Sequence, residues 1–238
     1  MSAHGLMITG TDTGVGKTFV GCGLAVALRR RGFRVAPFKP AESGCELDRE
    51  SNALVPSDAQ RLRHASQCEA SLETISPYRF RMPVAPWVAA ERAGVTIRVE
   101  RLQECYQELI SSHDYVLVET AGGILVPIAE HFHYADLARL LGLPVLVVAG
   151  SKLGVINQTL LTLEYLVRGG LPVIGCVLNH PDPEDRPASL TNVETLRRLM
   201  HHRLFVAQHA DQGQQPGEQE EFQELANAVI ETFCLAEQ

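Results

Sequence analysis

The stretch from residue 6 to residue 32 constrains the fold most, because a short apolar run leads through a glycine-rich loop directly into an amphipathic helix. The run "LMIT" is followed by "GTDTGVGKT" and then by "FVGCGLAVALRRRG". A strand, a glycine turn and a helix in this order gather backbone amides at a helix N-terminus, where they bind phosphate. The pattern predicts a phosphate-binding loop and a helix from about Lys17 to Arg31, which the basic last turn and Gly32 would end.

The loop is a variant of the regular P-loop, since five residues rather than four separate Gly10 from Gly16. Lys17 is in the position of the lysine that reaches the β and γ phosphates, and Thr18 is in that of the magnesium ligand. Asp12 stands where the dimeric partitioning ATPases of this superfamily carry a second lysine that reaches the partner's nucleotide. The aspartate therefore favours an enzyme over an ATPase that is switched by its partner.

Composition narrows the classes of function. The chain has 238 residues with 45% apolar and 21% charged side chains and a formal charge of −7, and its longest basic run is three arginines. These values fit one sizeable core and provide no basic surface for nucleic acid. The six cysteines form no CxxC pair, which argues against a zinc site or a disulfide framework. Since neither a signal peptide nor a membrane-spanning apolar segment is evident, the chain is expected in the cytoplasm and not in a membrane.

Short β-rich runs alternate with helical patterns along the rest of the chain. The runs are "RVAPFK", "DYVLVE", "LPVLVVAG" and "LPVIGCVLN". This alternation predicts an α/β fold, with a P-loop NTPase-like parallel sheet and helices on both faces, in a single domain over residues 1–238. Residues 40–57 and 120–134 are predicted as long connections that carry chemistry. Residues 211–221 are predicted as a mobile polar linker before a last helix.

Three charged residues occur at or after the ends of predicted strands. Lys39 ends the second strand, and its position fits either a solvent-exposed lysine or a second cation beside the phosphate. Glu119 closes "DYVLVE", where an acid that helps to hold Mg²⁺ in a P-loop protein should lie. Asp58 begins a helix, so it fits either a helix N-cap or a second metal ligand.

Two further polar groups are not interpreted as metal ligands. The segment "HFHYAD" has no cysteine or second histidine pair nearby, so His131 and His133 are interpreted as loop residues and Asp136 as the cap of the next helix. Asn179 ends "PVIGCVLN", where an asparagine can either contact a purine edge or form a turn.

Four spaced motifs resemble those of the dethiobiotin synthetase family, and they occur in the family's order over about residues 6–180. They are "GTDTGVGKT", "KPAESG", "ETAGG" and "KLGVIN". The family uses ATP and Mg²⁺ to carboxylate 7,8-diaminononanoate with CO₂, through a carbamate and a carbamic-phosphoric anhydride. It then closes the ureido ring of dethiobiotin and releases ADP and phosphate. The resemblance implies the same substrates and the same cofactor, Mg²⁺, for this chain.

The resemblance also implies roles for individual residues. The implied catalytic residues are Lys39, Lys17 and Thr13. The implied substrate contacts are Ser43, Thr13, Lys39, Leu153, Gly154, Val155, Ile156 and Asn157. The implied metal ligands are Thr18, Asp58 and Glu119. The implied nucleotide contacts are Gly14, Val15, Gly16, Lys17, Thr18, Phe19, Asp58, Glu119, Thr120, Ala121, Gly122, Asn179 and His180.

Since the family is homodimeric, the resemblance further implies that Lys152 and the five residues after it open a helix towards the partner's site. The helix N-terminus would meet the substrate carboxylate there. Three features depart from the family pattern: Gly14 stands where some members have glutamate, Thr120 replaces the usual glycine, and "LFVAQHADQ" lacks a G-x-x-P element. Two alternatives stay open. One is a cobyrinate-type amidoligase, although 238 residues leave no room for its usual glutaminase domain. The other is a regulatory or partitioning ATPase with a protein partner.

Overall fold

A computed structural model describes residues 3–180, 186–208 and 220–236. The strands, in chain order, are β1 (His4–Gly10), β2 (Val35–Phe38), β3 (Ala41–Ser43), β4 (Glu46–Leu47), β5 (Leu54–Val55), β6 (Tyr78–Phe80), β7 (Tyr115–Gly123), β8 (Pro127–Ala129), β9 (Phe132–His133), β10 (Val145–Gly150), β11 (Val173–His180) and β12 (Leu204–Gln208). The helices are α1 (Lys17–Arg30), α2 (Ser57–Ser66), α3 (Leu72–Ile75), α4 (Pro86–Ala93), α5 (Val99–Ser112), α6 (Tyr134–Leu141), α7 (Val155–Arg168), α8 (Arg186–Leu199) and α9 (Glu220–Ala236). Within the described ranges, no helix is long and apolar enough to cross a membrane.

Six parallel strands form the central sheet, in the order β12-β11-β10-β1-β7-β2. β1 lies in the interior of the sheet, where Ile8 pairs with Leu146 of β10 on one side and with Glu119 of β7 on the other. The carboxyl ends of parallel strands meet at one edge, where α/β proteins bind ligands. The segments that follow β1, β2, β7 and β10 are therefore brought together at this edge.

Side chains that alternate along the strands pack into two cores, one on each face of the sheet. On one face, Leu6 and Ile8 belong to a cluster with Leu24 of α1 and Phe222 of α9. On the other face, Met7 belongs to a cluster with apolar residues of α5, α6, α7 and α8. The predicted α/β fold, with a parallel sheet and helices on both faces, is confirmed.

The predicted first and last helices are both present. α1 begins at Lys17 and ends at Arg30, one residue before the predicted end. Gly32 follows with a φ of +87°, in the left-handed region that favours glycine after a helix. α9 already includes residues 220 and 221 of the predicted linker, and the rest of that linker lies outside the described residues.

The two predicted long connections contain short strands. Residues 40–57 include β3, β4 and β5, and residues 120–134 include β8, β9 and the last part of β7. The prediction that Glu119 closes its strand is wrong, because β7 continues to Gly123. The extension is stabilised by pairing between Gly123 and Gly10 at the end of β1.

Candidate active site

The phosphate loop lies over the end of β1 and packs against Asn179. Gly16 has a φ of +94°, and a Cβ on it would lie 2.0 Å from Nδ2 of Asn179, so only glycine fits there. Nδ2 of Asn179 donates a hydrogen bond of 2.9 Å to the carbonyl oxygen of Val15. Asn179 is 3% exposed, and through this hydrogen bond its buried side chain holds the backbone of the loop. Its contact with a purine edge stays a prediction, as does that of its half-buried neighbour His180.

Lys17 begins α1 and lies over the same loop. Its Nζ donates a hydrogen bond of 3.1 Å to the carbonyl oxygen of Asp12, and the residue is 6% exposed. Burial and the nearby charge of Lys39 lower the pKa of Lys17 to about 8. This ammonium group is partly desolvated, and among the described residues its hydrogen-bond partner is a neutral carbonyl oxygen. It is therefore well suited to hold an anionic ligand.

Lys39 follows β2 and lies among acidic residues of two other elements. Its Nζ forms an ion pair with Glu119 of β7 and lies 3.3 Å from Oδ2 of Asp58 in α2. Lys39 is 3% exposed and Glu119 is 1% exposed. Burial by itself lowers the pKa of Lys39, but the two carboxylates more than offset this effect, and the net pKa is raised. Lys39 is therefore a buried, charged residue and not a solvent-exposed lysine.

Thr18, Asp58 and Glu119, the predicted magnesium ligands, lie together around Lys39. Oγ1 of Thr18 donates a hydrogen bond of 2.9 Å to Oε1 of Glu119. Oε2 of Glu119 is buried and has no hydrogen-bond partner among the described residues. A buried carboxylate oxygen without a partner fits a cation, and a small set of oxygen donors is what Mg²⁺ prefers. The residues present therefore fit magnesium.

Glu42 is a site residue that the sequence analysis missed. Its carboxylate oxygens accept hydrogen bonds of 2.9 and 3.0 Å from the backbone N–H groups of Asp58 and Ala59. Glu42 thus caps α2 from 16 residues away in the chain. Burial raises the pKa of Glu42, and these hydrogen bonds oppose the rise. No local signal marks such a cap, because sequence rules recognise only caps that directly precede the helix.

Of the two roles that the sequence allowed for Asp58, the N-cap is wrong. The N-cap of α2 is Pro56, and Asp58 lies within the first turn of the helix. Since Glu42 already accepts from the backbone there, the carboxylate of Asp58 faces Lys39 instead. Asp58 thus forms an ion pair with Lys39, and its role as a metal ligand stays a prediction.

The segment "HFHYAD" also differs from the prediction. The N-cap of α6 is His133, and Asp136 lies three residues further on, so the prediction that Asp136 is the cap is wrong. Oδ2 of Asp136 accepts a hydrogen bond of 2.9 Å from the backbone N–H of His133, as in a capping box. Across the part of the chain that the structure describes, no group of three or more histidine, cysteine or acidic residues is suited to a metal.

A cavity of about 610 Å³ extends from the phosphate loop to the acidic residues Glu42, Asp58 and Glu119. Most of the implied contacts line it: Thr13, Gly14, Gly16, Lys17, Thr18, Phe19, Lys39, Ser43, Asp58, Glu119, Thr120, Ala121 and Gly122. Its lining also includes residues that the sequence analysis did not single out: Glu42, Arg61, Pro83, Val84, Ala85, Pro86 and Val126. Val15, Asn179, His180 and residues 153–157 are not part of the lining.

Thr120 and Gly122 shape the turn that follows Glu119. The hydroxyl of Thr120 is buried and lies 2.8 Å from the carbonyl oxygen of Gly122 and 3.2 Å from Oγ1 of Thr9. Gly122 has a φ of +75°, and a Cβ on it would lie 2.9 Å from Cγ2 of Val126. Where the family usually has glycine, the threonine thus adds a hydrogen bond that holds the turn.

The segment "KLGVIN" begins a helix as predicted but stays outside the cavity. α7 starts at Val155 and follows Gly154, whose φ is +93°. Leu153 is 97% exposed. Nζ of Lys152 forms an ion pair of 3.0 Å with Oδ2 of Asp12, and this hydrogen bond is the main cause of a lowered pKa of Asp12. The segment is therefore attached to the phosphate loop through a surface ion pair.

Comparisons with known sequences agree with these observations. A family model described as an AAA domain matches residues 4–206. The ATP-dependent dethiobiotin synthetase BioD of Anaeromyxobacter dehalogenans (strain 2CP-C) is 48% identical over 83% of this chain and 86% of its own length. The protein of the same name from Aromatoleum aromaticum is 41% identical over 80% of this chain and 84% of its own length.

Solved structures with low sequence identity share the fold. A putative plasmid partition protein from Borrelia burgdorferi B31, bound to AMPPNP, has a TM-score of 0.58 and 12% identity, covering 98% of this chain and 100% of its own. Cobyrinic acid a,c-diamide synthase from Mycobacterium smegmatis, with bound ADP and magnesium, has a TM-score of 0.54 and 15% identity, covering 97% and 95%. These likenesses establish the P-loop NTPase-like fold alone. The far higher identity to the synthetases decides the family, and the chain belongs to the dethiobiotin synthetase family.

Proposed function

We propose that this protein is an ATP- and Mg²⁺-dependent ligase that carboxylates 7,8-diaminononanoate with CO₂ and closes the ureido ring of dethiobiotin, releasing ADP and phosphate. The observation that carries the proposal is that Lys17, Lys39 and Ser43 line one cavity together with the oxygen-bearing side chains of Thr18, Asp58 and Glu119. Membership of the dethiobiotin synthetase family supports the same reaction.

The proposed reaction makes and breaks three sets of bonds. One amine of the substrate attacks CO₂ and loses a proton, which gives a carbamate. A carbamate oxygen then attacks the γ-phosphorus of ATP, and ADP leaves. The second amine attacks the carbonyl carbon of the resulting carbamic-phosphoric anhydride and loses a proton, and phosphate leaves as the ring closes. The second step brings two anionic groups together, so it depends on fixed positive charge and exclusion of water.

Lys17 and Lys39 would supply that fixed charge. Lys17 would bind the γ-phosphate, and Lys39 would hold the carbamate oxygen that attacks it. Glu119 and Asp58 raise the pKa of Lys39, which favours its protonated form and suits it to act as a cation rather than as a base. Thr13 on the phosphate loop and Ser43 in β3 line the same cavity and would orient the substrate through their hydroxyl groups.

Thr18, Asp58 and Glu119 would hold Mg²⁺, which when bound neutralises phosphate charge. Residues 14–19 and the turn at 120–122 would surround the phosphates. Asn179 and His180, at the end of β11, would lie near the base. Burial lowers the pKa of His180, so its ring is neutral at neutral pH.

A homodimer would complete the site. The segment from residue 153 to residue 157 does not line the cavity of its own chain, and Leu153 is almost fully exposed. The N-terminal amides of α7 could therefore bind the substrate carboxylate in the site of a partner subunit. All six cysteines are free thiols, which supports the cytoplasm as the place of action.

The test is release of phosphate from ATP in the presence of Mg²⁺ and bicarbonate, with and without 7,8-diaminononanoate, together with detection of dethiobiotin by mass spectrometry. We expect phosphate release that depends on the diamine and is lost in Lys39→Ala. Phosphate release that ignores the diamine and is unchanged in this variant would contradict the proposal and indicate an ATPase with another partner.

A further inference from the structure

Arg61 is a cation of the active-site cavity that none of the steps above uses. It lies in α2, three residues after Asp58, and this spacing puts the two side chains on the same face of the helix. Both residues line the cavity that contains the phosphate loop. The fold therefore brings a third basic residue, besides Lys17 and Lys39, to this cavity.

The other charged residues of the cavity are all engaged within the chain. Each forms an ion pair, caps a helix or bonds a backbone carbonyl: Lys17, Lys39, Glu42, Asp58 and Glu119. Arg61 differs, because its guanidinium has no hydrogen bond and no ion pair among the described residues, and the residue is exposed. A cation at the edge of a phosphate site without a partner in the chain is free to bind an anion.

The position of Arg61 indicates which part of an anion it can reach. Arg61, Thr18 and Phe19 also line a second cavity, of about 450 Å³, that lies along α1 and α2 and adjoins the first. Arg61 is therefore on the side of Thr18, the residue that would help to hold the metal beside the phosphates. A guanidinium presents its donors in a planar fork that matches phosphate oxygens.

We propose that Arg61 binds the diphosphate portion of the nucleotide and sets the affinity of this chain for ADP and ATP. The inference rests on the proposed use of ATP. Because ADP and ATP share the diphosphate portion, a contact with it contributes to binding of the nucleotide in the ground state. The proposed contact of the diamine with Ser43 does not involve Arg61, so the affinity for the diamine should not change in Arg61 variants.

The experiment is calorimetric titration of the full chain with Mg·ADP, with no diamine or bicarbonate present. Arg61→Ala should raise the Kd roughly three- to tenfold at low ionic strength, as expected for a charge-assisted bond at a partly exposed site. Arg61→Lys should recover part of this loss, because it keeps the charge but not the fork. The difference from the unmodified chain should shrink as salt is added.

Arg92→Ala is the matched control, since Arg92 is an exposed arginine of α4 that does not line either cavity. It makes the same change in net charge and should leave the Kd for Mg·ADP unchanged. Equal Kd values for Arg61→Ala and Arg92→Ala at low salt would overturn the inference. Because the titration needs no turnover, an enzyme that fails to use the diamine but loses ADP affinity in Arg61→Ala would refute the proposed function and leave this inference standing.

Discussion

Lys39 and Lys152 both pair with acidic residues beside the phosphate loop, but the chain holds them in opposite environments. The pair of Lys39 with Glu119 is 3% and 1% exposed, whereas the pair of Lys152 with Asp12 is 50% and 44% exposed. The chain has only three lysines, and Lys17 of the loop itself is the third. Lys17 and Lys39 are buried and line the cavity, whereas Lys152 lies on the surface outside it.

This difference in exposure divides the candidate site into two halves, a buried one around Lys39 and an exposed one around Lys152. The half around Lys39 is built inside one chain, because β2, β7 and α2 deliver its charges to the same buried point. The half around Lys152 lies on the surface at the start of α7, next to the exposed Leu153. A buried ion pair depends strongly on both of its partners, whereas an exposed pair contributes little by itself. The first half is thus pre-organised, and the second half is available to another chain.

The largest effect is expected from Lys39→Met. It leaves the carboxylate of Glu119 buried without its cation, which costs about 3–5 kcal/mol in the free energy of unfolding. It should also lower diamine-dependent phosphate release by more than about 100-fold. Lys152→Met removes the same charge from the surface and should cost less than about 1 kcal/mol. Urea unfolding of both variants measures the two changes in the free energy of unfolding. Equal destabilisation would contradict the expected difference between the buried and the exposed ion pair.

The next largest effect is expected from the two buried lysines, because Lys17 and Lys39 have pKa values shifted in opposite directions. The proposed binding of phosphate by Lys17 requires its protonated form, so kcat/KM for ATP should fall about tenfold per pH unit above pH 8. The raised pKa of Lys39 keeps its charge over the same range. A kcat/KM for ATP that stays constant from pH 7 to pH 10 would contradict the assignment.

Deprotonation of Lys17 should raise the free energy of unfolding, whereas it should lower kcat/KM for ATP. In the unfolded chain Lys17 has its ordinary pKa of 10.5, so between about pH 8 and 10.5 the unfolded state binds more protons than the native state. The contribution of Lys17 to the free energy of unfolding therefore rises with pH across this window. Lys17→Met should lack this rise, and a comparison of the two pH profiles isolates it.

A smaller effect is expected from Glu42→Gln, which tests whether the buried half depends on a cap from a distant segment. The change weakens two charge-assisted hydrogen bonds to α2 and should cost about 1–2 kcal/mol in the free energy of unfolding. It should also raise KM for Mg·ATP, because the first turn of α2 positions Asp58. Ser71→Ala is the control, since Ser71 caps the short helix α3 away from the cavity. Similar losses of stability with an altered KM only in Glu42→Gln are the expected result.

The smallest effect is expected for the surface pair. A double-mutant cycle with Asp12→Asn and Lys152→Met should give a coupling free energy below about 1 kcal/mol that declines as salt is added. A coupling of several kcal/mol that is insensitive to salt would show that the two halves of the site are not as different as their exposure indicates.

Much of the fold follows from local patterns in the sequence. The apolar run, the glycine loop and the amphipathic helix predicted β1 and α1 to within one residue at the helix end. Alternation of β-rich runs with helical patterns predicted the parallel sheet. Such features depend on neighbours a few residues apart, so the chain can be analysed segment by segment.

Predictions about individual polar groups were less complete, because their partners lie far away along the chain. Lys39 could have been a surface lysine until β7 placed Glu119 against it, 80 residues further on. Asp58 lies at the start of α2 and could have been its N-cap, but Pro56 has that position, Glu42 accepts hydrogen bonds from the first turn, and Asp58 pairs with Lys39. Asp136 was taken for a cap, although the chain uses His133.

The phosphate loop, the α/β class and the candidate site residues could be predicted without coordinates, because each of them is encoded in local spacing. Which charged groups are paired, buried or exposed depends instead on how the chain folds. Lys152 meets Asp12 from 140 residues away, and Arg61 has no partner among the described residues. The physical reason is that the energy of a charge depends on burial and on the distance to other charges, and both are set by the sheet that brings distant segments together.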